Sequence, residues 1–227
     1  NNRYLIGKVF STDGEGISYI GWDNANDGIV TVKEYFPVNF AHRNPDKTVS
    51  MIKGGEYIFN EGLLEFKEIC TQIMNSELTA LTEVVDVFEE NGTVYSVNAK
   101  ISGITLEEFL EKNGGSLKWE QARALFLPLF DTVKGMNDLG IVHGGISTKT
   151  ILVCRDGKLR IADYQIRNIR NVGSDLKTEI FDGFAAIEQY GFDEMALGSN
   201  TDVYGLCATL FRVLIGTVPP SAADRIS

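Results

Sequence analysis

Strand-like patterning fills the first hundred residues of this chain, and helix-like patterning fills most of the rest, with the change near Ala99–Gly103. Tyr4–Phe10, Ile17–Trp22 and Gly28–Tyr35 are short runs rich in β-branched and aromatic residues, separated by Gly, Asp and Asn. Such runs suit a pleated, half-buried surface, and their separators supply turn conformations. Asp27-Gly28 marks a hairpin between the second and third runs. Glu61–Asn75 carries Leu64, Ile69 and Ile73 at helical spacing and predicts one helix in this region. Glu83–Glu89 and Thr93–Lys100 predict two more strands, joined by Glu90-Asn91-Gly92. Beyond Gly103 the helical pattern takes over. Thr105–Lys112 opens with Thr105 and Glu108 in capping-box spacing. Leu117–Leu139 predicts a long helix kinked at Pro128, because proline removes a backbone donor and crowds the preceding turn. Ile151–Cys154 and Leu159–Ala162 form a hairpin candidate around Arg155-Asp156-Gly157. Thr201–Ile215 predicts an apolar helix stopped by Gly216 and Pro219-Pro220. Strands segregated from helices predict an α+β chain of two lobes, residues 1–100 and residues 101–227.

A chain of 227 residues, 44% hydrophobic and 23% charged, can bury one or two cores. Its net charge of −10 argues against nucleic acid or an anionic membrane surface as the main partner. A solvated acidic surface explains the charge without a positive partner. Cys70, Cys154 and Cys207 are far apart and form no C-x-x-C pair, so neither a zinc site nor a disulfide framework is expected. Buried thiols in a reducing cytosol are the simplest account. No apolar run reaches about 18 residues, the length at which a spanning helix becomes a candidate. The N-terminus lacks the basic and apolar regions of a signal peptide. The expectation is a cytoplasmic domain without membrane insertion, with the cytosolic part of a longer membrane protein left open.

Several local sequences follow one another along this framework. They are I-S-Y-I-G-W-D at Ile17–Asp23, V-K-E-Y-F-P at Val32–Pro37, and H-G-G-I-S-T-K-T-I-L at His143–Leu152. I-A-D-Y-Q at Ile161–Gln165, A-I-E-Q-Y at Ala186–Tyr190 and T-D-V-Y-G-L at Thr201–Leu206 complete the series. In content and order they resemble bacterial serine/threonine protein kinases, from Tyr4 to the end of the chain. The resemblance implies a bilobal kinase-like fold, with a strand-rich N-lobe holding one main helix and a helix-rich C-lobe. The C-lobe would be cut short after its central helix, because the family continues with further helices past Pro219-Pro220.

The resemblance also assigns positions. Lys33 stands where the third-strand lysine meets the α/β-phosphates, and Glu68 where a helix glutamate pairs with it, with Glu65 as the alternative register. Asp163 stands at the D-F-G aspartate and reads equally as a magnesium ligand or a structural hydrogen-bonding residue. Lys33, Glu68 and Asp163 would be the remnant of a nucleotide cleft. Other positions depart from the family. Gly145 occupies the place of the H-R-D aspartate, the catalytic base, and Thr150 the place of the metal-binding asparagine. Gly144 replaces the arginine that receives a phosphorylated activation loop, so a phosphate on Ser174 or Thr178 would lack that receptor. In the glycine loop, Ser11 and Asp13 stand at the first two glycine positions and Glu15 at the tip, while Gly14 and Gly16 remain. A carboxylate about 4 Å from a phosphate charge costs about 1 kcal/mol in water and about 4 kcal/mol at an effective dielectric of about 20. An acidic hairpin turn is therefore the better reading of that loop. Gln165 replaces the D-F-G glycine and should restrict switching. His143 reads as structural, and His42 and His143 lack the clustered ligands of a metal site. Asp202 matches the buried helix aspartate that ties down the catalytic loop, and Glu188 the glutamate that normally pairs with a later arginine.

Loss of a positioned general base costs about 10²–10⁴-fold by itself. The expectation is a catalytically inactive pseudokinase acting as a regulatory or scaffolding module in bacterial signalling, with a protein partner. It calls for no cofactor, leaves room for weak ATP binding, and argues against magnesium. The alternatives are a nucleotide sensor, or a residual phosphotransferase using Lys33, Glu68 and Asp163. The H-G start of the loop is similar to small-molecule phosphotransferases that use H-G-D. Gly145 removes that aspartate too, and the E-Y-F-P and D-V-Y-G-L segments favour the protein-kinase branch.

Overall fold

A computed structural model describes residues 2–162, 180–191 and 197–226. Asp163, Tyr164, Gln165, Ser174 and Thr178 lie outside the described residues. The described chain forms two compact units, one of residues 2–77 and 83–100, the other of residues 78–82 and everything described from 101 onward.

The first unit is built on a five-stranded antiparallel sheet in the order β1-β2-β3-β7-β6. Its strands are β1 (Tyr4–Thr12), β2 (Gly16–Asp23), β3 (Gly28–Tyr35), β6 (Val84–Glu90) and β7 (Thr93–Ala99). A small hairpin, β4 (Ala41–Arg43) with β5 (Val49–Met51), was not foreseen; its three-residue strands carry too little alternation to announce themselves. Side chains alternate across β3, and each face has its own core. Val30 and Val32 pack on one face with Tyr4, Tyr95 and Val97. Stacked rings extend that core, Tyr4 to Phe88 at 5.8 Å and Phe88 to Tyr95 at 5.2 Å. On the other face Tyr35 meets Phe59 at 5.2 Å and Phe66 at 5.9 Å, both from helix α1 (Glu56–Met74). Lys33 is two residues from Tyr35 and so lies on the α1 face of the sheet.

The V-K-E-Y-F-P segment is thereby explained residue by residue. Glu34 is buried and accepts hydrogen bonds from Tyr19 (2.8 Å), Tyr95 (2.7 Å) and both terminal nitrogens of Arg43 (2.7 and 2.5 Å). Burial alone would raise its pKa, but the Arg43 guanidinium and the two phenols hold it below the usual carboxylate range. The Arg43 guanidinium sits 4.7 Å from the Phe36 ring centroid. The Pro37 carbonyl accepts the amides of Phe40 and Ala41, starting the turn into β4.

In the second unit β8 (Gly103–Thr105), β9 (Ile151–Cys154) and β10 (Leu159–Ile161) form a three-stranded sheet in the order β10-β9-β8. The remaining helices are α2 (Leu106–Lys112), α3 (Trp119–Asp138), α4 (Ser199–Ile215) and α5 (Ala222–Ile226). Thr105 caps α2 by accepting the Glu108 amide at 3.1 Å, as its spacing predicted. Pro128 lies inside α3. Leu106, Leu110, Phe126, Leu129, Met136, Ile151, Ile161 and Leu206 are fully buried and form the hydrophobic interior of this unit. Residues 78–82, assigned to the first lobe by sequence, cluster here instead because Leu81 bridges to Ile161 at the edge of β10.

Candidate functional site

Lys33 is held on its strand by the register Ser18↔Lys33↔Ser96. Its ammonium lies 2.5 Å from Oδ2 of Asp13, in the turn between β1 and β2. Oδ1 of Asp13 accepts the amides of Glu15 (3.0 Å) and Gly16 (2.8 Å). Burial alone would raise the Asp13 pKa; the Lys33 ammonium and those two amides outweigh it and lower it. Gly14 takes φ +81°, which favours glycine, so the turn can curl its amides inward. Glu15 is buried, and its carbonyl accepts the Phe36 amide at 3.0 Å, while the Gly14 carbonyl accepts that of Val38 at 3.2 Å. The turn is thus fastened to the chain leaving β3.

The two helix glutamates separate clearly. Glu68 is exposed, and its carboxylate accepts from Gln72 at 3.4 Å on the same helix. Glu65 is half-buried, beside Phe66 of the packed face. Its charge reaches the Tyr35 hydroxyl, which burial pushes up first and the charges of Glu15 and Glu65 push up further. Glu65, the alternative register, therefore lies toward the packed side of α1, and Glu68, the first candidate, on its exposed side.

In the second unit the segment from Ile141 to Thr150 is buried except for Lys149. Asp202 of α4 accepts the amides of His143 and Gly144, each at 2.8 Å. The Gly145 amide donates to Nδ1 of His143 at 3.1 Å, leaving Nε2 to carry the proton toward the Ala162 carbonyl at 2.9 Å. Thr150 Oγ1 donates to the Gly145 carbonyl at 2.7 Å and accepts the Ser147 amide at 2.9 Å. Gln189, in a single 3₁₀ turn (Ile187–Tyr190), donates to the Gly144 carbonyl at 2.6 Å. Gly205 of α4 lets that helix approach the loop; a Cβ there would lie 2.8 Å from the Ile146 carbonyl oxygen. Glu188 accepts from Asn200 (2.8 Å) and Thr201 (2.6 Å) at the start of α4. Among the described residues no group of three or more His, Cys, Asp or Glu is placed to hold a metal.

A model of the family described as Protein tyrosine and serine/threonine kinase matches residues 45–224. This chain belongs to the protein kinase family. The Probable serine/threonine-protein kinase CPE1738 of Clostridium perfringens (strain 13 / Type A) is 27% identical over 72% of this kinase-family chain and 24% of its own length. Serine/threonine-protein kinase PrkC of Bacillus subtilis (strain 168) is 23% identical over 100% of the chain and 32% of its own length. The chain therefore spans about a quarter to a third of these two bacterial relatives. A solved structure of the apo form of PpkA-294 matches with a TM-score of 0.81 and 27% identity, covering 100% of this chain and 80% of that one. The bacterial serine/threonine kinase-like family and the α+β kinase fold expected from the motifs are the ones found.

Kinase chemistry joins a nucleotide and magnesium to these positions. The Lys33 ammonium already holds a carboxylate, and the Thr150 hydroxyl is committed to its own loop. Asp13 as the lysine's partner escaped sequence reasoning, which saw only its repulsion of phosphate. The available signal was the carboxylate at a glycine position, three residues before Gly16 and across the hairpin from Lys33.

Proposed function

We propose that this chain is a catalytically silent member of the kinase family, acting as a regulatory or scaffolding protein-interaction module in bacterial signalling. The observation that carries the reading is Gly145, buried at the catalytic-base position with its carbonyl and amide both bonded within the loop. No Asp or Glu occurs in His143–Leu152 to take over the proton. Phosphoryl transfer depends almost entirely on positioning and electrostatics, so a missing base and a diverted metal position compound each other. The partner is a protein; the net charge of −10 disfavours nucleic acid. No helix among the described residues is long and apolar enough to cross a membrane. A cytoplasmic setting, as the domain of a longer protein like its relatives, fits three free cysteines, of which Cys70 and Cys154 are buried as expected and Cys207 is exposed instead.

Retention of Lys33 on the α1 face supports a second reading, a nucleotide sensor without turnover. Its pairing with Asp13 weighs against that reading. The test is transfer of labelled phosphate from ATP with magnesium to a panel of protein substrates, using the chain and Lys33→Ala. The expected result is background transfer from both. Transfer by the unmutated chain that Lys33→Ala abolishes would overturn the proposal.

A further inference from the structure

The turn between β1 and β2 brings together three donors of the kind that grips a phosphate: two backbone amides and an ammonium. All three converge on one carboxylate of the same chain. We propose that Asp13 is a built-in phosphate surrogate, occupying an anion site made by the amides of Glu15 and Gly16 and the ammonium of Lys33, and so keeping nucleoside triphosphates out. The inference rests on reading Lys33 as the nucleotide lysine of the family.

Three observations favour an occupied site over a chance surface pair. The turn is anchored at Phe36 and Val38, so it does not swing as a free loop tip. The Lys33 side chain is mostly buried, 13% exposed, and its stem runs against the turn: a Cβ on Gly16 would come within 3.3 Å of Lys33 Cε and 2.5 Å of the Glu34 carbonyl oxygen. The two oxygens of Asp13 divide the donors between them, one facing the amides and one facing the ammonium. A tethered carboxylate competes with a free phosphate at an effective concentration in about the millimolar range or above.

The experiment measures ATP binding to the whole chain by thermal shift and by calorimetry, with and without magnesium. It compares the unmutated chain, Asp13→Asn, Asp13→Gly, and each variant combined with Lys33→Ala. Asparagine can still accept the two amides through its oxygen, while its uncharged NH2 replaces the oxygen that faced the ammonium; glycine also empties the space. The expected result is no shift for the unmutated chain at millimolar ATP, and affinity at least about tenfold higher in both Asp13 variants. Adding Lys33→Ala should abolish that gain. If one Asp13 variant fails to melt cooperatively, the other decides. ATP binding by the unmutated chain equal to that of the variants overturns the proposal, as does a folded variant that gains none. Because the readout is binding, phosphate transfer by the unmutated chain would sink the silent-kinase reading without touching this result.

Discussion

At the scale of single residues, the second unit's loop satisfies its polar groups within itself. Gly145 offers no proton acceptor, and Thr150 spends its hydroxyl closing the ring from Gly145 to Ser147. Gly144 holds φ +72°, a conformation that costs a residue with a side chain about 1–2 kcal/mol, so an arginine would not simply drop into its place. Gly145→Asp alone should therefore leave phosphate transfer at background, because the second metal position and the Lys33 environment remain altered. Steady-state transfer assays check this, and robust activity in that single variant would show that the aspartate was the only missing part. The site was legible unevenly at this scale. Motif spacing from His143 brings Gly145 and Thr150 to one loop, a helix motif brings Asp202 to it, and the structure joins them there by hydrogen bonds. The Asp13–Lys33 pair could not be placed in that way, because it depends on how a turn curls, and local repulsion arguments do not give the direction of a side chain.

Secondary-structure elements show what periodicity conveys and where it misleads. Most strands of the large sheet were visible as alternating runs. Helix α1 was recognised but placed from Glu61, five residues late, because Gly55 precedes it with no side-chain cap to mark the start. Its register was taken from Leu64, Ile69 and Ile73, yet Leu64 is 58% exposed and the packed stripe is Phe59, Gly62, Phe66, Ile69, Cys70 and Ile73. That rotation puts Glu68 first and leaves Glu65 as the alternative. Strand β3 holds an equally informative arrangement in Glu34, whose carboxylate is anchored by Arg43, Tyr19 and Tyr95. Arg43→Ala leaves that buried acid without its cation and should destabilise the fold by about 1–3 kcal/mol. Urea denaturation would show a lower midpoint with an unchanged slope; an unaltered midpoint would mean the ion pair contributes nothing net.

For the whole molecule, the carboxylates set how stability responds to acid. Asp13 and Glu34 are lowered by their partners, and Asp23 and Asp156 are lowered to about 2 by Arg3 and Arg160. A carboxylate whose folded pKa is depressed binds its proton more readily when unfolded, so its contribution is present above the unfolded value and fades as pH falls. The melting temperature should be level at neutral pH, begin to drop as pH approaches the ordinary aspartate value of 3.8, and keep falling toward about 2. A melting temperature that rises on acidification over that window would contradict these pairings. Five residues carry a separate consequence for any attempt to take the molecule apart. The chain leaves the first unit at Leu78, lays Ala80–Thr82 along the end of β10, and returns at Glu83. There the Ile161 amide reaches the Ala80 carbonyl at 2.8 Å, and the Thr82 amide reaches the Ile161 carbonyl at 3.1 Å. A fragment beginning at residue 101, the division that the sequence pattern suggests, would lose this bridging segment and leave the β10 edge open to its neighbours in solution. The practical unit of dissection is a chain in which residues 78–82 travel with the helices they seal.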